Sequence, residues 1–130
     1  MPLVFAAIAP HGFPIIPALS DDAEGALATR AAMEGLGRRA AAAGMEAIVI
    51  AGPHGVRVDG MVCLADTARA AGTLGWQGKE VELNVPLDGA LTDAIADEAR
   101  ARDIPVAMAG FAGNKRFQSV MPMDWGILTP

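Results

Sequence analysis

Two short apolar runs set the terms for this chain: residues 3–9, containing Val4, Phe5 and Ile8, and residues 47–51, Ala47-Ile48-Val49-Ile50-Ala51. Each is continuous rather than alternating, and only a few residues long. That is the pattern of a strand covered on both faces. Between them lies a loop with Pro14 and Pro17, where two prolines in four residues exclude a helix. Ser20, Asp21 and Asp22 then offer N-cap oxygens and negative charge. The spacing predicts a helix from about Asp22 or Ala26 to Ala43, with Leu27, Ala31, Met33, Leu36, Ala40 and Ala43 as its apolar face. Gly25, Gly35 and Gly37 each weaken it by about 1 kcal/mol relative to alanine. Arg38 and Arg39 suit its carboxyl end, and Gly44 suits the C′ position. Strand, helix, strand is a βαβ unit with a right-handed crossover.

Beyond residue 55 the elements are shorter. Residues 56–59 and 61–65 predict one or two strands around Gly60. Residues 70–79 hold Gly72, Gly75 and Gly78 and read as loop. Val81, Leu83 and Val85 alternate with Glu82 and Asn84, as in a half-exposed strand. Asp88 caps a helix with Leu91, Ile95 and Ala99 on one face, ending near Arg102. Residues 104–109 predict a strand whose Pro105 suits an edge or first position. Residues 110–118 form a polar loop, and residues 120–130 close the chain. The expected fold is α/β, a central mostly parallel or mixed sheet flanked by helices, in a single domain over residues 1–130.

With 130 residues, 52% of them hydrophobic and 19% charged, the chain can bury one core. A net charge of −5 argues against nucleic acid or an anionic membrane as partner, since both need a basic face. The one cysteine, Cys63, excludes a disulfide within the chain and reads as a buried, inert thiol. Residues 1–9 lack a positive n-region and break at Pro10, unlike a signal peptide. No run has the length of a membrane span. A cytoplasmic location is expected.

The chain's two histidines share one frame, Pro10-His11-Gly12 and Pro53-His54-Gly55, each just after an apolar run. The carboxyl ends of strands are the ligand edge of open α/β sheets. Proline holds the preceding residue extended, and glycine leaves room for a ligand beside the backbone. Neutral imidazole binds iron, zinc, copper and nickel, but two imidazoles bind weakly and a third ligand is expected. Two histidines with a carboxylate suit Fe(II) in an oxygenase; two histidines, a carboxylate and water suit a zinc hydrolase. Residue types do not separate these. Asp59, Asp66 and Asp124 are the nearest carboxylates to special turns, and Asp124, beside Trp125-Gly126, is the most unusual.

These residues resemble one family, the class III extradiol ring-cleavage dioxygenases of the protocatechuate 4,5-dioxygenase beta-subunit type. The resemblance rests on Pro10-His11-Gly12 and on Met33-Glu34-Gly35-Leu36-Gly37-Arg38-Arg39. It continues through Ile48-Val49-Ile50-Ala51-Gly52-Pro53-His54-Gly55-Val56-Arg57-Val58 and Met121-Pro122-Met123-Asp124-Trp125-Gly126-Ile127-Leu128-Thr129-Pro130. The stretch through His54 is the most specific. The resemblance implies Fe(II) held by His11 and His54, with Zn(II) or another divalent ion as an alternative. It implies a small aromatic diol and dioxygen as substrates, and ring opening beside the diol with a histidine as acid/base. It places Gly12, Gly55, Asp124 and Trp125 at the substrate pocket.

Three departures from the family are expected to matter. The family's third ligand, a glutamate, and a catalytic histidine lie downstream of the matched region, so the chain resembles an amino-terminal half. Where many members carry Asp-His-Gly, this chain has Asp124-Trp125-Gly126, and indole cannot shuttle protons. The chain therefore reads as a dioxygenase-family domain or fragment whose site needs residues from another chain, a further copy or a complementing one. Two other readings stand beside it: a non-catalytic relative that binds metal or a partner, and a zinc-dependent hydrolase using His11, His54 and a local aspartate. Lys115 and Arg116 read either as attractors of a substrate carboxylate or as a solvated pair. Half of a family domain would leave apolar surface or a strand edge uncovered and favour homo-oligomers.

Overall fold

The computed structural model describes residues 2–21 and 24–130. Asp22, offered above as a helix cap, lies outside the described residues. The contacts divide the chain into two units. Unit 1 comprises the segment ending at Gly52 together with residues 74–81 and 125–130; unit 2 comprises residues 53–73 and 82–124. The fold is α/β with parallel and antiparallel strand pairs, as the sequence implies.

Unit 2 contains the parallel pair. Strand β1 (Val62–Ala65) runs beside β4 (Val106–Ala109), with Val62 opposite Val106 and Ala65 opposite Ala109. Helix α2 (Gly89–Ala101) packs against both strands. Asp88 caps it as expected, its side chain accepting from the Leu91 N–H at 3.0 Å. Ala96 is its buried residue, and Leu91, Ile95 and Ala99 are half-buried beside it. The helix ends in a Schellman turn: Asp103 N–H donates to Arg100 O, and Ile104 N–H to Ala99 O. Asp103 takes the left-handed φ of 57° that this turn requires.

A second sheet is built on the hairpin of β2 (Arg69–Trp76) and β3 (Lys79–Pro86), with β5 (Val120–Pro122) parallel to β2 on its other side. The loop expected at residues 70–79 is therefore mostly strand. Gln77 and Gly78 both have positive φ, 53° and 75°. Positive φ at both central residues is the signature of the two-residue turn whose twist suits a hairpin. Arg69 ties the two strands, donating to Asn84 Oδ1 at 2.6 Å and to its carbonyl at 3.1 Å.

In unit 1, helix α1 (Leu27–Ala42) starts at Ala26, which has a left-handed φ of 58° and makes no side-chain cap. It ends as Gly44 predicts. Gly44 N–H donates to Ala41 O and Met45 N–H to Ala40 O, with φ of 74° at Gly44. Its shielded stripe is Thr29, Met33, Leu36 and Ala40, spaced for one helix face, while Leu27, Ala31 and Ala43 are exposed. A 3-10 turn (Phe13–Ile15) and helix α3 (Trp125–Leu128) complete the unit. Its buried apolar residues are Leu19, which is fully shielded, and Ala40 and Leu74, which are nearly so.

The two continuous apolar runs, residues 3–9 and 47–51, are not strands; neither belongs to a sheet of the described chain. Leu3 and Ile8 are 86% and 99% exposed, and Ile48, Val49 and Ile50 are exposed as well. A strand exists only where a neighbour completes its hydrogen-bond ladder, and neither run has one here. The parallel connection lies instead between β1 and β4. Cys63, on β1, is half-buried rather than buried. Among the described residues no helix is long and apolar enough to cross a membrane.

Candidate functional site

The identical Pro-His-Gly frames fold into different turns. His11 is half-buried, and Gly12 behind it is extended (φ −94°, ψ 142°) as the N-cap of the turn Phe13–Ile15. Gly12 O accepts from Ile15 N–H at 3.1 Å. Pro14 fits the start of that turn because its missing N–H would have had no partner there. His54 is exposed within a bend, and Gly55 behind it has φ of +99°. One frame needs its glycine conformationally; the other does not.

His11, Gly12 and Trp125 belong to unit 1, and His54, Gly55 and Asp124 to unit 2. Within unit 2 the structure brings Gly55 and Asp124 together. A Cβ placed on Gly55 would stand 3.6 Å from Asp124 Oδ2. Both residues line a cavity of about 280 Å³, whose other walls are Val56, Phe111, Met121, Pro122 and Met123. The lining is apolar except for the half-buried carboxylate of Asp124. The volume suits a single ring, since a cavity of about 150 Å³ holds benzene. Sequence reasoning named Gly55 and Asp124 but missed the methionines and Phe111. The apolar Met121-Pro122-Met123 triplet before Asp124 was the available signal.

The other carboxylates singled out are engaged elsewhere. Asp59 pairs with Arg57 at 2.7 Å on the surface. Asp66, just past β1, accepts from Arg116, whose guanidinium also holds Asp93 of α2 through two hydrogen bonds. This pairing raises the Arg116 pKa above its ordinary range, chiefly through the bond to Asp93 and then that to Asp66. The same bond lowers Asp93 below the usual carboxylate value. Arg116 is thus paired within the chain, with Asp66 and Asp93, rather than standing with Lys115 as a solvated pair. It is half-buried and joins the 3-10 turn Arg116–Gln118 to α2 and the end of β1. Lys115 lies over the Phe117 ring at 5.8 Å.

Among the described residues no group of three or more His, Cys, Asp or Glu side chains assembles to hold a metal ion. The imidazoles fit a first-row divalent ion in kind, but the chain's own described donors fall short of the three protein ligands that an iron or zinc site of this type uses. The chain matches no protein-family model and no curated protein.

Proposed function

We propose that the chain is a metal-binding relative of the extradiol ring-cleavage dioxygenases, with His11 and His54 as imidazole ligands to Fe(II). The Gly55–Asp124 cavity is its binding place for a small aromatic diol. The observation that carries this reading is the repeated frame: the chain's only two histidines each follow an apolar run inside Pro-His-Gly. The apolar cavity lined by Gly55, the residue after His54 in sequence, has room for a single ring and supports the ligand class. With both imidazoles used as ligands, no histidine is left for proton transfer at the diol. On this reading the two imidazoles hold the ion, weakly as two ligands do, and the chain by itself does not cleave catechols; a second copy or a complementing chain supplies the rest.

The test is metal content after anaerobic Fe(II) loading of wild type, His11→Ala and His54→Ala. The expected result is loss of bound iron in both variants. Equal, stoichiometric loading in all three proteins would sink the assignment. Absorbance spectroscopy with catechols and air should show no yellow ring-cleavage product from the chain alone. Robust product formation would overturn the claim that its catalytic set is incomplete.

A further inference from the structure

We infer that residues 47–51 form a self-association strand, pairing antiparallel with the same residues of a second copy about a two-fold axis at Val49. Three observations lead there. The segment reads the same in both directions, Ala47-Ile48-Val49-Ile50-Ala51. Residues 45–52 contain no turn or bend, and among the described residues no main-chain hydrogen bond ties 47–51 to another segment. Ile48, Val49 and Ile50 are 64%, 66% and 45% exposed, an uncharged β-branched surface facing water.

The palindrome selects the occupant. An isologous contact needs a patch complementary to itself. In the antiparallel register centred on Val49, each Ala47 faces an Ala51, each Ile48 faces an Ile50, and the two Val49 side chains face each other. Cross-strand pairs of β-branched residues are favourable, and no like charges meet. Glu46, the nearest charge, stands opposite Gly52 of the second copy. Gly44, which ends α1, and Pro53, which has no N–H to give, bound the paired run. Nothing in the segment is of the kind that blunts strand edges, neither lysine nor proline nor bulge. A ladder this short buries less than the ~1,200 Å² of a stable interface, so the dimer is concentration-dependent.

Sedimentation velocity over roughly 5–500 µM is expected to show a monomer converting to dimer, with Kd on the order of tens of micromolar as for small transient contacts. Val49→Lys, which sets two ammonium groups face to face, should remain monomeric throughout with an unchanged far-UV circular dichroism spectrum. Register is read by oxidative crosslinking in a Cys63→Ser background. Val49→Cys should form a disulfide dimer about tenfold faster than Ile48→Cys, whose cysteines are not opposite each other in this register. Wild type monomeric over the whole range would overturn the proposal. So would a Val49→Lys protein that dimerises like wild type, or equal crosslinking at positions 48 and 49. Should Val49→Lys misfold, the crosslinking ratio decides by itself.

Discussion

The two Pro-His-Gly frames should respond oppositely to the same substitution, glycine to alanine. At Gly55 the backbone sits at φ +99°, outside the regions that a residue with Cβ occupies at ease. The new methyl itself has room, since its closest neighbour, Asp124 Oδ2, is at ordinary contact distance, 3.6 Å. The cost is therefore conformational, about 2 kcal/mol for a residue held in a sparsely populated region. At Gly12 the backbone is extended (φ −94°, ψ 142°), and the methyl would lie 3.7 Å from Pro14 Cδ, again ordinary contact. Alanine there costs the fold nothing and removes freedom from the unfolded chain, a gain of roughly 0.4–1 kcal/mol. For a chain of this size 1 kcal/mol moves Tm by about 4 °C. Gly55→Ala should thus melt about 8 °C lower than wild type and Gly12→Ala about 2–4 °C higher, by circular dichroism at 222 nm or calorimetry. Shifts of the same sign and size in both variants would refute the claim that identical triplets form different turns.

Other substitutions probe the packing that holds these turns. Leu19 is fully buried in unit 1, so Leu19→Ala should cost about 3 kcal/mol in urea unfolding; Leu27→Ala, at an exposed site on α1, should cost under about 0.5 kcal/mol. Asp88→Ala removes the acceptor for Leu91 N–H at the start of α2 and should cost about 1 kcal/mol, with Asp88→Ser recovering most of it. Asp93, held below its ordinary pKa of 3.8 by the hydrogen bond from Arg116, stabilises the fold above that value, and the contribution is lost as pH falls through the lowered folded value. The stability gap between wild type and Asp93→Asn should therefore be widest near neutral pH and shrink below about pH 4; a pH-independent gap in urea midpoints would contradict the ion pair.

What could be read from sequence was what local chemistry decides. Gly44 marked the end of α1 because a Schellman turn needs a left-handed residue there, and Asp88 marked the start of α2 because its carboxylate reaches a nearby N–H. Pairing partners were not legible. Residues 3–9 and 47–51 have a buried strand's composition, yet a ladder depends on a neighbour that composition does not name. The β2–β3 hairpin was hidden by its glycines, and its turn uses Gln77 at positive φ where asparagine or aspartate is the usual signal. In the candidate site, Asp124 stood out by its neighbours in sequence. The Arg116 network was invisible because it joins residues 50 and 23 positions apart.

The metal and self-association proposals draw on neighbouring residues but make separate demands. In the register centred on Val49, each His54 lies just past Pro53, where the paired run ends, so the two histidines stand at opposite ends of a ladder about eight positions long, roughly 27 Å at 3.4 Å per residue. Metal–imidazole bonds are about 2 Å long, so no single ion reaches both, and the two-fold axis creates no shared His54 site. Val49→Lys should consequently bind Fe(II) in the same ratio as wild type while losing the dimer, and His54→Ala should lose iron while keeping the dimer. Iron loss in Val49→Lys, with its fold intact, would mean that the ion is held between copies. The register would then have to shift until His54 or His11 of two chains converge.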